Sequence, residues 1–132
     1  KFADPHVSVG LVAGDGGCVI WPQLIGFARA KKYLLTGEMI KATDALSMGL
    51  IAEVIEEDKI DQEVQALAEK LRDGAKYSIR WTKTSINAGL KVMANSIIDR
   101  AAAFENVTQL MEDHKIALEA FAKKETPKFK QK

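Results

Sequence analysis

Hydrophobic and polar residues alternate near the start of the chain. Val7, Val9 and Leu11 are apolar, and the residues between them are polar or small. A period of two is typical of a strand with one apolar face, and Pro5, which lacks the backbone N–H that a central strand needs, marks its start. The pattern predicts a short strand that leads into the glycine-rich turn at residues 14–17 and then into a helix.

Helical spacing dominates the rest of the chain. The predicted helices are one through Phe27, Ala30, Tyr33 and Leu34 that ends at Gly37, a short one over Thr43–Met48, one from Asp58 to Gly74, one from about Ser78 to Met93, one through Ile97–Met111, and one from about Asp113 to Pro127. Residues 50–55 are apolar and β-branched, which predicts a brief strand or an extended segment. The acidic run at 56–58 is more typical of a solvated turn that caps the next helix than of a metal site.

Four consecutive amphipathic helices follow very little predicted sheet. Their apolar faces are larger than one short strand can cover, so we expect part of this surface to meet another polypeptide. The alternative is a self-contained helical core.

Charge and cysteine content narrow the class of protein. Nineteen basic and eighteen acidic side chains give a net charge of +1, which argues against wholesale nucleic-acid binding. The single cysteine, Cys18, has no partner for an internal disulfide, as expected in a reducing compartment. The sequence has no apolar run long enough to cross a bilayer and no signal-peptide pattern. It therefore predicts a soluble cytoplasmic protein that does not bind a membrane.

Three motifs occur in order along the chain: FADPHVSVGLVAGDGG, then LIGFARAKKYLLTG, then IKATDALSMGLIAEV. They resemble the second half of an enoyl-CoA hydratase/isomerase (crotonase) family member. The resemblance implies an α/β, crotonase-like fold in which residues 1–56 are a strand-and-turn remnant of the ββα spiral and residues 57–132 form a mainly helical assembly region. It also implies that the chain is a C-terminal half, that the N-terminal half of the same fold is its partner, and that the assembly is a homotrimer or a hexamer.

The chemistry of this family is expected from the same resemblance. Its members act on acyl-CoA thioesters through an oxyanion-stabilised enolate, with coenzyme A as part of the substrate and no tightly bound cofactor or metal. The family's hydratases place a catalytic glutamate directly after the proline that is Pro5 here, but this chain has His6 at that position. Members without the glutamate pair catalyse isomerisation, dehalogenation, hydrolysis or carbon–carbon cleavage, so the reaction type stays open.

Two residues near the turn are the candidates for proton transfer. Histidine is suited to this role near neutral pH, and the predicted strand places His6 beside the turn, although a lone histidine is more often a packed or surface residue. Asp15 is the nearest carboxylate, yet it lies one position after the working aspartate of related isomerases and dehalogenases, and it is also an ordinary turn residue. Cys18 is interpreted as a small buried residue.

The turn glycines and one tryptophan are candidates for the acyl pocket. Gly14, Gly16 and Gly17 permit positive φ angles and a close approach of the backbone to a ligand. Trp21 is a candidate wall of the pocket, although packing between helices is the more usual role of such a residue.

The C-terminal segment AFAKKETPKFKQK is rich in lysine and includes Lys132. Such a segment is usually a solvated, frayed end. By resemblance, Phe121 and Lys124 match an aromatic residue and a lysine that contact the adenine and the ribose phosphate of coenzyme A bound mainly by a neighbouring subunit. The sequence also allows two other functions: a non-catalytic assembly module that completes an active site with a separate N-terminal chain, and an RNA-binding homologue that uses the lysine tail.

Overall fold

The computed structural model describes residues 1–130, so the last two residues of the predicted helical region, including Lys132, lie outside the described part. Its α-helices are α1 (Gly17–Thr36), α2 (Ala42–Met48), α3 (Ile60–Asp73), α4 (Lys76–Gln109) and α5 (Glu112–Ala122). Two 3-10 turns, His6–Val9 and Glu57–Lys59, precede α1 and α3.

The predicted N-terminal strand is wrong. Residues His6–Val9 form a 3-10 turn, and within residues 1–130 the only β-type pairing is an isolated antiparallel bridge between Phe2 and Ile40. Because the described chain offers the 7–11 segment no neighbouring strand, its backbone groups pair locally: the Ser8 N–H donates to the Pro5 carbonyl and the Leu11 N–H to the His6 carbonyl. The strand expected from the alternating pattern is therefore absent from the described residues, and the remnant of the ββα spiral implied by the resemblance is not confirmed.

The helix that follows the glycine turn is present and carries a kink. Pro22 lies inside α1, and Gly26 has φ 77° and ψ 158°, which are not helical. Glycine adopts a positive φ at low cost, which explains the kink at Gly26, whereas the donor that Pro22 lacks would have paired in the preceding turn. The predicted ends are correct: Gly37 terminates α1, Gly49 terminates α2 and Gly74 follows α3.

Two predictions about the C-terminal helices need correction. The two helices predicted over 78–111 are one continuous helix, α4, because no proline interrupts the segment and Gly89 is tolerated inside it. The last helix ends at Ala122 rather than at Pro127, since Lys124 adopts a left-handed conformation with φ 57° and the Glu125 N–H turns back to the Ala120 carbonyl at 2.8 Å. Residues 50–55 are extended and irregular, and 57–59 form the predicted turn.

The buried core lies around the first two helices. Its members are Ala13, Ile25, Ala30 and Leu34, with Cys18, Trp21, Tyr33, Met48 and Leu50 packed against them. The other described helices bury little: α3 has no buried residue, α4 buries Ala101, and α5 buries Ala117 and Ala120. The described residues therefore do not form the self-contained helical core that was the alternative.

Candidate active site

The N-terminal segment, the glycine turn and α4 meet at His6. The 3-10 turn packs against both α1 and α5, and α1 packs against α4. His114 on α5 donates from Nδ1 to the Val9 carbonyl at 2.7 Å, and Thr108 on α4 accepts from the Val12 N–H at 3.2 Å. These long-range contacts hold the 6–12 segment in place over the helices.

His6 lies among three carboxylates. Its Nδ1 is 2.5 Å from Oδ1 of Asp4, and its Nε2 is 3.7 Å from Oδ2 of Asp15 and 4.0 Å from Oε1 of Glu105. The first distance is a hydrogen bond, whereas the other two are ion-pair separations that exceed hydrogen-bond length. Asp15 therefore lies near His6, but the expectation that it is the nearest carboxylate is wrong, because Asp4 is closer to the imidazole. The catalytic roles of His6 and Asp15 stay predictions.

Opposing effects set the pKa of His6. Partial burial disfavours the imidazolium and lowers the pKa, but the hydrogen bond to Asp4 and the negative charges of Asp4, Asp15 and Glu105 outweigh it, so the pKa lies above its ordinary value. The folded structure therefore favours the protonated ring, and an imidazole is a group that can both hold and release a proton, as a general acid or base must.

Close packing requires glycine at two positions of the turn, Gly14 and Gly17. A Cβ on Gly14 would come within 2.7 Å of Oε2 of Glu105 and 2.8 Å of the Ala101 carbonyl carbon, and a Cβ on Gly17 would collide with Oδ2 of Asp4. Gly16 has open space around it. The turn therefore fits between the N-terminal segment and α4, and the role of its glycines in an acyl pocket stays a prediction.

Asp4 and Glu105 were not among the sequence-predicted site residues. Asp4 is two positions before His6 and its side chain faces the His6 N–H at 3.5 Å, an arrangement typical of aspartate in turns, so a local signal existed. Glu105 lies on α4, far away in the sequence, and nothing local points to it. Only the packing of α4 against the glycine turn brings its carboxylate to His6.

The remaining predicted site residues lie elsewhere. Trp21 packs against the core cluster, which fits the packing role; a contact with an acyl group stays a prediction. Phe121, on the last turn of α5, is 80% exposed, and Lys124 follows that helix. Burial and the charges of Asp4 and Asp15 raise the pKa of Cys18, so its reactive thiolate is disfavoured.

A histidine with two carboxylates is also a pattern found in metal sites. One atom each from Asp4, His6 and Asp15 lies within 4.8 Å of the others. The Asp4–His6 hydrogen bond already uses the closest pair of these atoms, so the arrangement requires no cation. The expectation that no metal is bound stays a prediction.

Comparison with known proteins identifies the family. The sequence profile of the enoyl-CoA hydratase/isomerase family matches residues 1–132, so the chain belongs to that family. A short-chain-enoyl-CoA hydratase of Clostridioides difficile is 36% identical over 99 residues, which are 75% of this chain and 64% of that protein. The chain spans about half the length of other curated relatives, 48% and 50% in two of them.

Solved structures support the crotonase-like fold. The crystal structure of an enoyl-CoA hydratase from Mycobacterium avium subsp. paratuberculosis K-10 matches with a TM-score of 0.92 and 25% identity, over 98% of this chain and 53% of that one. A β-diketone hydrolase from the cyanobacterium Anabaena sp. PCC 7120 matches with a TM-score of 0.77 and 28% identity, over 86% of this chain and 44% of that one.

Among residues 1–130, no helix has both the length and the apolar character needed to cross a bilayer.

Proposed function

We propose that this chain contributes to the active site of an enzyme that hydrates or isomerises the acyl group of an acyl-CoA thioester. The observation that carries the proposal is the His6 imidazole, whose Nε2 faces Asp15 and Glu105 beside the glycine turn. Family membership and the name of the Clostridioides difficile relative support the substrate class. The cytoplasm is the proposed location.

His6 is the proposed proton-transfer group. In hydration, the oxygen of water bonds to the β-carbon as an O–H bond breaks, and a proton is delivered to the α-carbon of the enolate. An imidazole can take the first proton or give the second. Asp15 and Glu105 stabilise the imidazolium that forms when His6 holds a proton, because opposite charges at these separations favour the charged form.

Contacts with coenzyme A are proposed at the end of α5. Phe121 offers an exposed ring and Lys124 an exposed ammonium, which suit an adenine face and a phosphate respectively. Coenzyme A is part of the substrate in this proposal, and no resident cofactor is invoked.

Assembly through the helical region, residues 57–132, is also proposed. Apolar side chains on one face of α3 are about half exposed: Ile60 46%, Val64 58%, Leu67 55% and Leu71 50%. A stripe of this kind on a helix with no buried residue is typical of a surface that packs against further protein. The partners proposed are the N-terminal half of the family fold and, in a homotrimer or hexamer, other copies of the chain.

Hydrolysis of a β-diketone is a second candidate reaction. The observation that favours it is the histidine at the position where the family's hydratases have glutamate, together with the structural match to a β-diketone hydrolase. In that reaction water adds to one carbonyl, the carbon–carbon bond breaks, and the departing carbon receives a proton. An imidazole flanked by carboxylates can carry those protons as well.

Crotonyl-CoA hydration separates these candidates from a purely structural role. The proposal predicts that the chain alone is inactive, that its assembly with the N-terminal half of the family fold consumes crotonyl-CoA, and that kcat of this assembly falls by about 10²-fold or more in His6→Gln, because general acid–base catalysis contributes roughly 10²–10⁴-fold. Cyclic β-diketones assayed in parallel test the second candidate. If His6→Gln keeps both activities at the wild-type level, His6 is not part of the mechanism. If the wild-type assembly has neither activity, the chain is better explained as an assembly module.

A further inference from the structure

We propose that Asp4 is a positioning residue that fixes the tautomer of His6, with the hydrogen on Nδ1 and the lone pair on Nε2. The inference rests on the proposed function in one respect: it assigns Nε2 as the atom that exchanges a proton with substrate or water. The tautomer itself follows from geometry.

The Asp4 carboxylate is held on two sides. It is 9% exposed, and its Oδ1 is 2.5 Å from His6 Nδ1. Its Oδ2 lies against Gly17, the first residue of α1, where a Cβ would collide with it. The bridge between Phe2 and Ile40 anchors the backbone just before it, with both N–H to carbonyl distances at 2.8 Å. The carboxylate therefore has little freedom to turn away from the imidazole.

A carboxylate only accepts hydrogen bonds, so the hydrogen in this bond belongs to Nδ1. A neutral imidazole carries one hydrogen, and Nε2 is then left with a lone pair. Nε2 faces Asp15 and Glu105 at 3.7 Å and 4.0 Å, too far for direct hydrogen bonds. The unprotonated Nε2 therefore faces the space between the two carboxylates and forms a hydrogen bond with neither.

Asp15 is a weaker candidate for the same task. Its side chain is 67% exposed and it faces Nε2 at a longer distance, so it has neither the burial nor the hydrogen bond of Asp4. Glu105 approaches the same nitrogen as Asp15. Of the three carboxylates, only Asp4 contacts Nδ1, and this contact distinguishes orienting the ring from sharing its mobile proton.

Nitrogen-15 NMR of the histidine ring tests the proposal without requiring turnover. The chain has two histidines, and His114 serves as an internal reference because its Nδ1 donates to a backbone carbonyl that Asp4 does not touch. On the high-pH side of its measured titration, where the ring is neutral, wild-type His6 is expected to carry its hydrogen on Nδ1. A wild-type His6 with the hydrogen on Nε2 overturns the proposal before any variant is made.

The Asp4→Asn variant supplies the second measurement. An asparagine amide can either accept from Nδ1–H through its oxygen or donate to Nδ1 through its nitrogen, so the variant removes the preference for the Nδ1–H tautomer. The fraction of His6 in the Nε2–H tautomer is expected to rise and its titration midpoint to fall, while His114 keeps its tautomer. Asp44→Asn, the same change at an exposed position on α2, is the matched control and leaves both histidines unchanged. An Asp4→Asn variant that retains the wild-type tautomer and midpoint overturns the proposal.

Kinetics then distinguish positioning from a merely structural role. In Asp4→Asn, kcat for the acyl-CoA substrate is expected to fall about 10²-fold with KM nearly unchanged, and the pH profile to shift with the new His6 midpoint. Wild-type kcat despite a switched tautomer contradicts the assignment of Nε2. If no acyl-CoA is turned over but the tautomer depends on Asp4, the positioning by Asp4 stands and the proposed function fails, so the two failures are distinguishable.

Discussion

The carboxylates around His6 favour its protonated form, and this preference makes the stability of the folded chain depend on pH. Because its folded-state pKa is raised above the ordinary value, the folded protein binds the His6 proton more tightly than the unfolded chain does. The stabilisation is fully present below about pH 6.5, the ordinary pKa of histidine, and is lost as the pH rises through the raised folded-state pKa. The groups that face the imidazole are Asp4, Asp15 and Glu105.

The raised pKa of His6 predicts how the stability of the protein changes with pH. The difference in the free energy of unfolding between wild type and His6→Gln is expected to favour wild type at about pH 5.5 and to shrink by about pH 8.5. Denaturant titrations of both proteins at each pH measure it, and acid effects common to the two proteins cancel in the difference. A difference that grows with increasing pH would contradict the raised pKa.

The glycine turn gives a second prediction at this scale. Gly14→Ala puts a Cβ against the backbone of Ala101 in α4, and such overpacking costs about 1–3 kcal/mol. Gly89 is the matched control, since a Cβ there meets nothing within 4 Å and alanine in a helix interior is more favourable than glycine by about 0.5–1 kcal/mol. Opposite shifts in melting temperature are expected; a Gly14→Ala variant as stable as wild type would be inconsistent with this close packing.

The helices were more predictable from the sequence than the N-terminal segment was. Gly37 and Gly49 mark the ends of α1 and α2 because each takes a positive φ, at 67° and 83°, and the sequence signal for this is local. The alternation of Val7, Val9 and Leu11 is equally local but misleading, because a strand forms only where a neighbouring strand offers backbone partners. No pattern within residues 6–11 records whether such a partner is present.

The candidate site divides in the same way. His6 and Asp15 could be selected from the sequence because both border one glycine turn. Glu105 could not, since its approach to His6 depends on how α4 packs against that turn. Asp4 lay within the motif but its role depends on the ring orientation of His6, which only the three-dimensional structure gives.

The end of α5 provides a prediction at the scale of the element. Lys124 is the only non-glycine residue among those described with a positive φ, so glycine at this position relieves backbone strain while removing the ammonium. Lys124→Gly is expected to keep or raise stability and to weaken coenzyme A binding severalfold at low salt, with a smaller loss at high salt. Lys123→Ala, one residue earlier, is the control for the loss of one charge. Equal binding by all three proteins would place the Lys124 ammonium in solvent.

The accessible surface of the whole chain argues for assembly. It amounts to 10242 Å², whereas a compact monomer of 14.5 kDa is expected to expose about 6,900 Å². The excess on this one chain exceeds the roughly 1,000–2,500 Å² that one partner contributes to a permanent interface, which buries on the order of 2,000–5,000 Å² summed over both partners. The apolar stripe of α3 accounts for part of it.

Charge placed on this stripe tests the assembly. Leu67→Lys is expected to lower the mass of the particle in solution, because burying an unpaired ammonium in an interface is costly. Gln62→Lys, on the polar face of α3, is the matched control and leaves the mass unchanged. Light scattering after size exclusion measures both; a monomeric wild type, or a Leu67→Lys variant of wild-type mass, would count against an interface at α3.

The central claim is that His6 exchanges a proton with the α-carbon of an acyl-CoA thioester. Hydrogen–deuterium exchange at the α-carbon of butyryl-CoA in heavy water, followed by mass spectrometry, tests it without assuming hydration or isomerisation. In its assembly with the N-terminal half of the family fold, the wild-type chain is expected to catalyse the exchange, and His6→Gln to slow it by about 10²-fold or more. Exchange at the uncatalysed rate with wild type, or at equal rates with the two proteins, would contradict the account.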